Sequence, residues 1–288
     1  MRRSAIDWLL EHRGLALELF VLSNLTFLVA DIYVAHSVND FAHPAEWAPL
    51  GFSAAGALAL GTAIALRLRA PRAAHVTTLA VGALAVLIGV AGLLLHLNSQ
   101  FFQLKSLHSL VYTAPFAAPL AYCGLGLLLL LGAWEPPGSD GWSAWVVFLA
   151  LGGFVGNFAL SLCDHAQNGF FYPSEWIPVV TSAFAVAFLT VSLWETGAVF
   201  VRTAHGVLLV QLVIGVLGFV LHLDSKLQST PVTLFERVVH GAPVFAPLLL
   251  PNLALLAGFG LWSGQHPPAP PLEPRAEPPP RAEDPESD

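Results

Sequence analysis

Charge is what this chain has least of. Only 11% of its 288 residues are Asp, Glu, Lys or Arg, against roughly a quarter in an ordinary soluble domain, and a water-soluble globule is thereby excluded. Cysteine is nearly absent: Cys123 and Cys163 are the only two, and neither stands in a C-x-x-C or C-x-x-C-H setting. Their scarcity excludes a disulfide scaffold, a cysteine zinc knuckle and covalently attached c-type haem. Basic residues are outnumbered, 12 against 19 acids for a net charge of -7, which argues against a nucleic-acid partner. A Walker loop, a dinucleotide fingerprint, a GxSxG elbow and an HExxH pair are also missing.

What is present is apolar: 56% of residues are hydrophobic and the mean hydropathy is +0.68. A helix crosses a bilayer with about 20 mostly apolar residues. Eight segments meet that length, near 15-35, 48-68, 76-97, 108-133, 143-163, 177-197, 205-223 and 239-262. The expected fold is all-α and polytopic, with the lipid bilayer as first partner and other membrane subunits as further ones. Asp7 and Glu11 interrupt the N-terminal stretch, so residues 1-14 read as a cytoplasmic anchor rather than a cleaved signal. With that end inside, the inner loops receive nine Lys and Arg and the outer loops three, Lys105, Lys226 and Arg237, which favours both termini in the cytoplasm of a cell (inner) membrane. All eight tryptophans fall near span ends, as an interfacial belt requires. Residues 264-288, rich in proline and acid, are expected to form a disordered tail.

The two halves repeat one another. Asn24 and Asp31 match Asn157 and Asp164 at an offset of 133. The run from His36 through Asn39, Phe41, His43, Pro44, Glu46 and Trp47 to Pro49 matches His165, Asn168, Phe170, Tyr172, Pro173, Glu175, Trp176 and Pro178 at 129. The change of four is one extra helical turn, residues 32-35, in the first copy. Gly89, Gly92 and His96 match Gly215, Gly218 and His222 at 126, and Pro115 and Pro119 match Pro243 and Pro247 at 128. The expected organisation is two tandem four-helix repeats, 15-135 and 141-263. An even number of spans per repeat gives both copies the same orientation, about an axis along the membrane normal.

Seven of the eleven histidines collect at the expected outer side: His36, His43, His96, His108, His165, His222 and His240. Asn24 and Asp31, like Asn157 and Asp164, are seven residues apart and return to nearly one helix face. They read either as helix-packing hydrogen bonds or, for the two aspartates, as functional intramembrane acids. The glycines preceding His96 and His222 leave a strip for close approach, by another helix or by a haem edge with the histidine as ligand. In an up-down-up-down bundle the first and third spans are diagonal, so His36 with His96, and His165 with His222, would span a cofactor site.

Glu46 and Glu175 suit helix starts beside Pro44 and Pro173, and their spacing also allows a carboxylate beside an imidazole. The paired prolines of spans four and eight interrupt corresponding helices, a pointer to a binding site or simply to a bend. Tyr112 aligns with His240, so the second copy offers the richer set of metal ligands, Asp164, His165, His222 and His240, and the first a weaker one, Asp31, His36 and His96 with Tyr112. Cys123 and Cys163 read as small hydrophobes, with a soft ligand group at Cys163 to His165 as the alternative. His75 and His205 read as interfacial anchors.

Three functions follow. The first is a redox or metal-binding subunit, with haem b or a transition metal held by the outer histidines. The second is a proton-coupled or small-solute transporter in which Asp31, Asp164 and the outer histidines exchange protons, spans four and eight gate access, and Asn24, Asn157, Tyr112, Glu46 and Glu175 belong to the substrate or proton path. The third is an assembly subunit whose polar residues satisfy one another. Whether the protein is an enzyme is left open by these motifs.

Overall fold

The computed structural model describes residues 5-98, 117-167, 169-228, 233-239 and 243-267. The described residues are helical throughout, without a strand. A short helix, α1 (Ala5–Glu11), leads into α2 (Arg13–Ser37). The N-terminal half continues with α3 (Trp47–Leu66), α4 (Pro71–Leu97) and α5 (Leu120–Leu131). The C-terminal half has α6 (Asp140–Gln167), α7 (Trp176–Val191), α8 (Ala198–Gln228), the short α9 (Leu234–Val239) and α10 (Leu249–Gly264). One-turn 3-10 segments precede α3 (Pro44–Glu46), α7 (Pro173–Glu175) and α10 (Ala246–Leu248).

Seven of these helices, counted with their 3-10 turns, are long and apolar enough to cross a membrane, and α5 is a shorter apolar helix. The protein is therefore a polytopic helical membrane protein. The expected span at 108-133 is described only over its C-terminal part, because residues 99-116 lie outside the described residues.

In each half the helices pack around a ring. α2 meets α3, α3 meets α4, α4 meets α5 and α5 returns to α2; likewise α6, α7, α8 and α10. The inward line of α2, Arg13, Leu17, Val21, Leu25 and Ile32, recurs at helical spacing. The halves join through α5 against α6 and α9 against α2, and one apolar cluster runs through both. Across this seam the Asn252 amide donates to Asn24 Oδ1 at 2.9 Å, and Phe27 meets Phe245 edge to face.

The glycines ahead of the histidines are covered by the last helix of each ring. A Cβ on Gly89 would stand 2.6 Å from Cys123 Sγ, and one on Gly92 2.9 Å from Pro119 Cβ. On α8, a Cβ on Gly215 would stand 2.7 Å from the Pro247 carbonyl oxygen and one on Gly218 3.0 Å from Pro247 Cβ. The flat object that these strips admit is a neighbouring backbone, and the place that the sequence left open for a haem edge is filled. Without a Cβ, glycine lets two helix axes approach where no hydrophobic force from water drives them together. Pro119 stands at the start of α5 and Pro247 in the 3-10 turn before α10, places where a ring lacking an N–H donor is tolerated, and Pro115 lies outside the described residues.

Candidate functional site

The His-bearing corner after α2 is built like the one after α6. Both corners turn through the left-handed region, at Asp40 (φ 56°) and Phe41 (φ 52°), and at Gly169 (φ 67°) and Phe170 (φ 54°). Such angles are unfavourable for a phenylalanine, so local contacts must hold them. The Phe41 N–H donates to the His36 carbonyl at 3.2 Å and the Phe170 N–H to that of His165 at 3.0 Å. The Phe41 ring stacks on Trp47 at 4.2 Å and the Phe170 ring on Trp176 at 3.8 Å. Proline then opens the 3-10 turn, and Glu46 or Glu175 ends it. Phe, Pro and Trp of the shared motif are thus explained by the corner itself. The histidine and glutamate are left for other work.

Those two residues are used differently in the two corners. In the first, Glu46 Oε1 accepts from the Asn39 amide at 2.9 Å, and His36 Nδ1 sits 3.1 Å from the carbonyl of Ile32 in its own helix. In the second, His165 Nδ1 lies 3.9 Å from Glu175 Oε2, and both side chains are largely covered. His222 is oriented from outside its helix, with Nδ1 2.8 Å from the Pro243 carbonyl. The structure thus brings His165 and Glu175 together, with His222 of α8 held by the Pro243 carbonyl.

Asp164, one residue before His165 and so about 100° round the helix, is exposed, whereas Asp31 is half-buried. His96 is half-buried at the end of α4. Asn24 is engaged in the seam with Asn252 and also donates to the Phe20 carbonyl at 2.9 Å, and Asn157 is buried in α6. His108, Tyr112 and His240 lie outside the described residues. Among the described residues, no three His, Cys, Asp or Glu side chains gather closely enough to hold one metal ion. Cys123 packs against Gly89 with its thiol 3.8 Å from the Val86 carbonyl.

Several polar residues that the sequence did not single out are structurally prominent. Glu18 of α2 pairs with Arg67 at the end of α3, and buried Arg13 donates to the His266 carbonyl. Ser53 meets Tyr122, whose hydroxyl donates to the Pro49 carbonyl at 2.8 Å. The Gln211 amide donates to the Thr181 carbonyl at 2.7 Å. Glu18 carried the clearest signal, an acid within an apolar run. Tyr122 and Gln211 have no polar counterpart in the other half, and a search for matched residues passes over them.

Comparison with protein-family models, with curated proteins and with solved structures finds no match.

Proposed function

We propose that the chain is an eight-span membrane protein of two tandem four-helix repeats with both termini cytoplasmic, and that the His-bearing end of its second repeat binds a transition-metal ion in a redox subunit. In this reading α5 is the inner part of a fourth span, and the matched corners with their left-handed turns and stacked Phe–Trp pairs are the imprint of duplication. The observation that carries the site is the orientation of two imidazoles by groups outside their own helices. His165 Nδ1 faces Glu175, and His222 Nδ1 faces the Pro243 carbonyl. A histidine whose Nδ1–H is held by a carbonyl, as His222 is by that of Pro243, presents Nε2 with its lone pair free, the arrangement that supports a metal ligand, and at 3.9 Å the Glu175 carboxylate is an ion-pair neighbour of His165. His240 is the third ligand in this proposal and Asp164 a supplementary one. A metal ion is favoured over haem because neighbouring helices cover the glycine strips.

The test is the metal content and optical spectrum of the full chain purified in detergent. About one iron or copper per chain, a ratio that a single set of ligands implies, with no haem band, is expected. A colourless, metal-free protein overturns the proposal. A second reading, a proton-coupled carrier, is favoured by the same His165–Glu175 pair, because such a pair exchanges protons without any metal. Solute-dependent proton uptake by metal-free protein in liposomes distinguishes it.

A further inference from the structure

The turn joining α3 to α4 carries Arg67, Leu68 and Arg69 in succession, and Arg72 follows on the first turn of α4. The three arginines are not equivalent. Arg67 folds back onto Glu18 of α2. Arg69 and Arg72 are exposed, and their guanidinium groups meet no acceptor among the described residues. Beside them Leu68 stands 95% exposed. An apolar side chain fully outside the fold next to unneutralised cations is unfavourable in water. It is favourable at the boundary of headgroups and acyl chains, where leucine enters hydrocarbon and arginine reaches phosphate. The helices on either side of this turn are both long and apolar enough to span a bilayer, which sets the turn at that depth.

We propose that the α3–α4 turn is a docking surface for the phosphate of an anionic phospholipid, gripped by Arg69 and Arg72 with Leu68 set among the acyl chains. A guanidinium fork matches phosphate oxygens in pairs, and the Glu18 contact keeps the third arginine from competing. A free phosphate ion would answer the arginines but gives Leu68 nothing to enter, so the lipid is the occupant. The turn between α7 and α8 has the opposite character. It exposes Trp194 (74%) and carries Glu195, whose carboxylate accepts from the Gly197 N–H at 2.7 Å. An acid there repels an anionic headgroup, so lipid collects at one turn and not at the other. This surface is separate from the histidine site, and neither proposal depends on the other.

The test is native mass spectrometry of the full chain in detergent with added phosphatidylglycerol or phosphatidylcholine. Phosphatidylglycerol adducts are expected to dominate, and the double substitution Arg69→Gln/Arg72→Gln to weaken their binding about 25-fold, since each juxtamembrane basic residue contributes roughly a factor of five. Arg202→Gln, at an exposed arginine already bonded to the Ala198 carbonyl, is expected to leave them unchanged. Leu68→Ser is expected to weaken lipid binding without touching either arginine. Equal adducts with both lipids overturn the proposal, as does an equal loss with Arg202→Gln. Displacement by inorganic phosphate together with indifference to Leu68→Ser assigns the arginines to free phosphate and also overturns it. If the double substitution is not recovered in folded form, the two single substitutions make the same comparison.

Discussion

Ser53 of α3 and Ser182 of α7 stand 129 residues apart at the same place in their helices, and both are fully buried. In the N-terminal half the fourth helix answers this serine, because Tyr122 meets Ser53 and bonds onward to the Pro49 carbonyl. In the C-terminal half Leu250 occupies the position matching Tyr122, and the polar group enters from the third helix instead, as Gln211 bonded to the Thr181 carbonyl. The layer is polar in both halves but different helices supply it. The same contrast holds elsewhere. In the N-terminal half Glu18 is tied to Arg67, Asn24 to Asn252 and Glu46 to Asn39. In the C-terminal half Leu151 stands where Glu18 would, and Glu175 faces an imidazole. In the first set each polar group is bonded to an amide or a guanidinium, whereas in the second His165 and Glu175 face one another and His222 is held by the Pro243 carbonyl. This difference is why the proposed chemistry is assigned to the second half.

The largest expected effect breaks or keeps that assignment. His165→Ala/His222→Ala should abolish metal binding by the purified chain, while His36→Ala/His96→Ala should retain at least half of it, as measured by elemental analysis. Equal losses would mean that the halves share the work. Next comes packing. Gly215→Ala places a methyl against the Pro247 carbonyl and should cost about 1–3 kcal/mol by overpacking, whereas Gly156, which has open space around it, should accept alanine within about 0.5 kcal/mol; thermal unfolding in micelles measures both.

Tyr122→Phe removes the partner of Ser53 and should cost about 1–2 kcal/mol, the usual result of leaving a buried polar atom unsatisfied. The matching change Leu250→Phe removes no hydrogen bond, so if Tyr122→Phe costs nothing beyond simple repacking, the contrast between the two layers is lost. The smallest effect belongs to the seam. A double-mutant cycle on Asn24→Leu and Asn252→Leu should return a coupling near 0.6 kcal/mol, the average for hydrogen bonds between membrane helices. Zero coupling would mean that the bond does not join the halves.

Much of the fold was legible because the physics behind it is local. The length of each apolar run is set by bilayer thickness, and the runs at 15-35, 48-68, 76-97, 143-163, 177-197, 205-223 and 239-262 each find a long apolar helix. The His-to-Trp motif marked a corner whose turn, proline and stacking partners lie within a dozen residues of one another. Contacts between distant segments were not legible in the same way. Asn252 carries no mark that its partner is Asn24, 228 residues away. The glycine strips show that something comes close but not whether it is a helix or a cofactor.

By itself the sequence determined that the chain lives in a membrane and roughly where its long apolar helices begin and end. Hydropathy and short-range turn chemistry suffice for that, since in hydrocarbon every backbone must satisfy its own hydrogen bonds within its segment. Only the tertiary structure decided that helices α5 and α10 fill the glycine faces, that Glu46 is taken by an amide while Glu175 faces His165, and that Arg67 is neutralised while Arg69 and Arg72 are not. These outcomes depend on how the helices are rotated and paired, and side-chain packing sets that rotation once the lengths of the spans have been chosen.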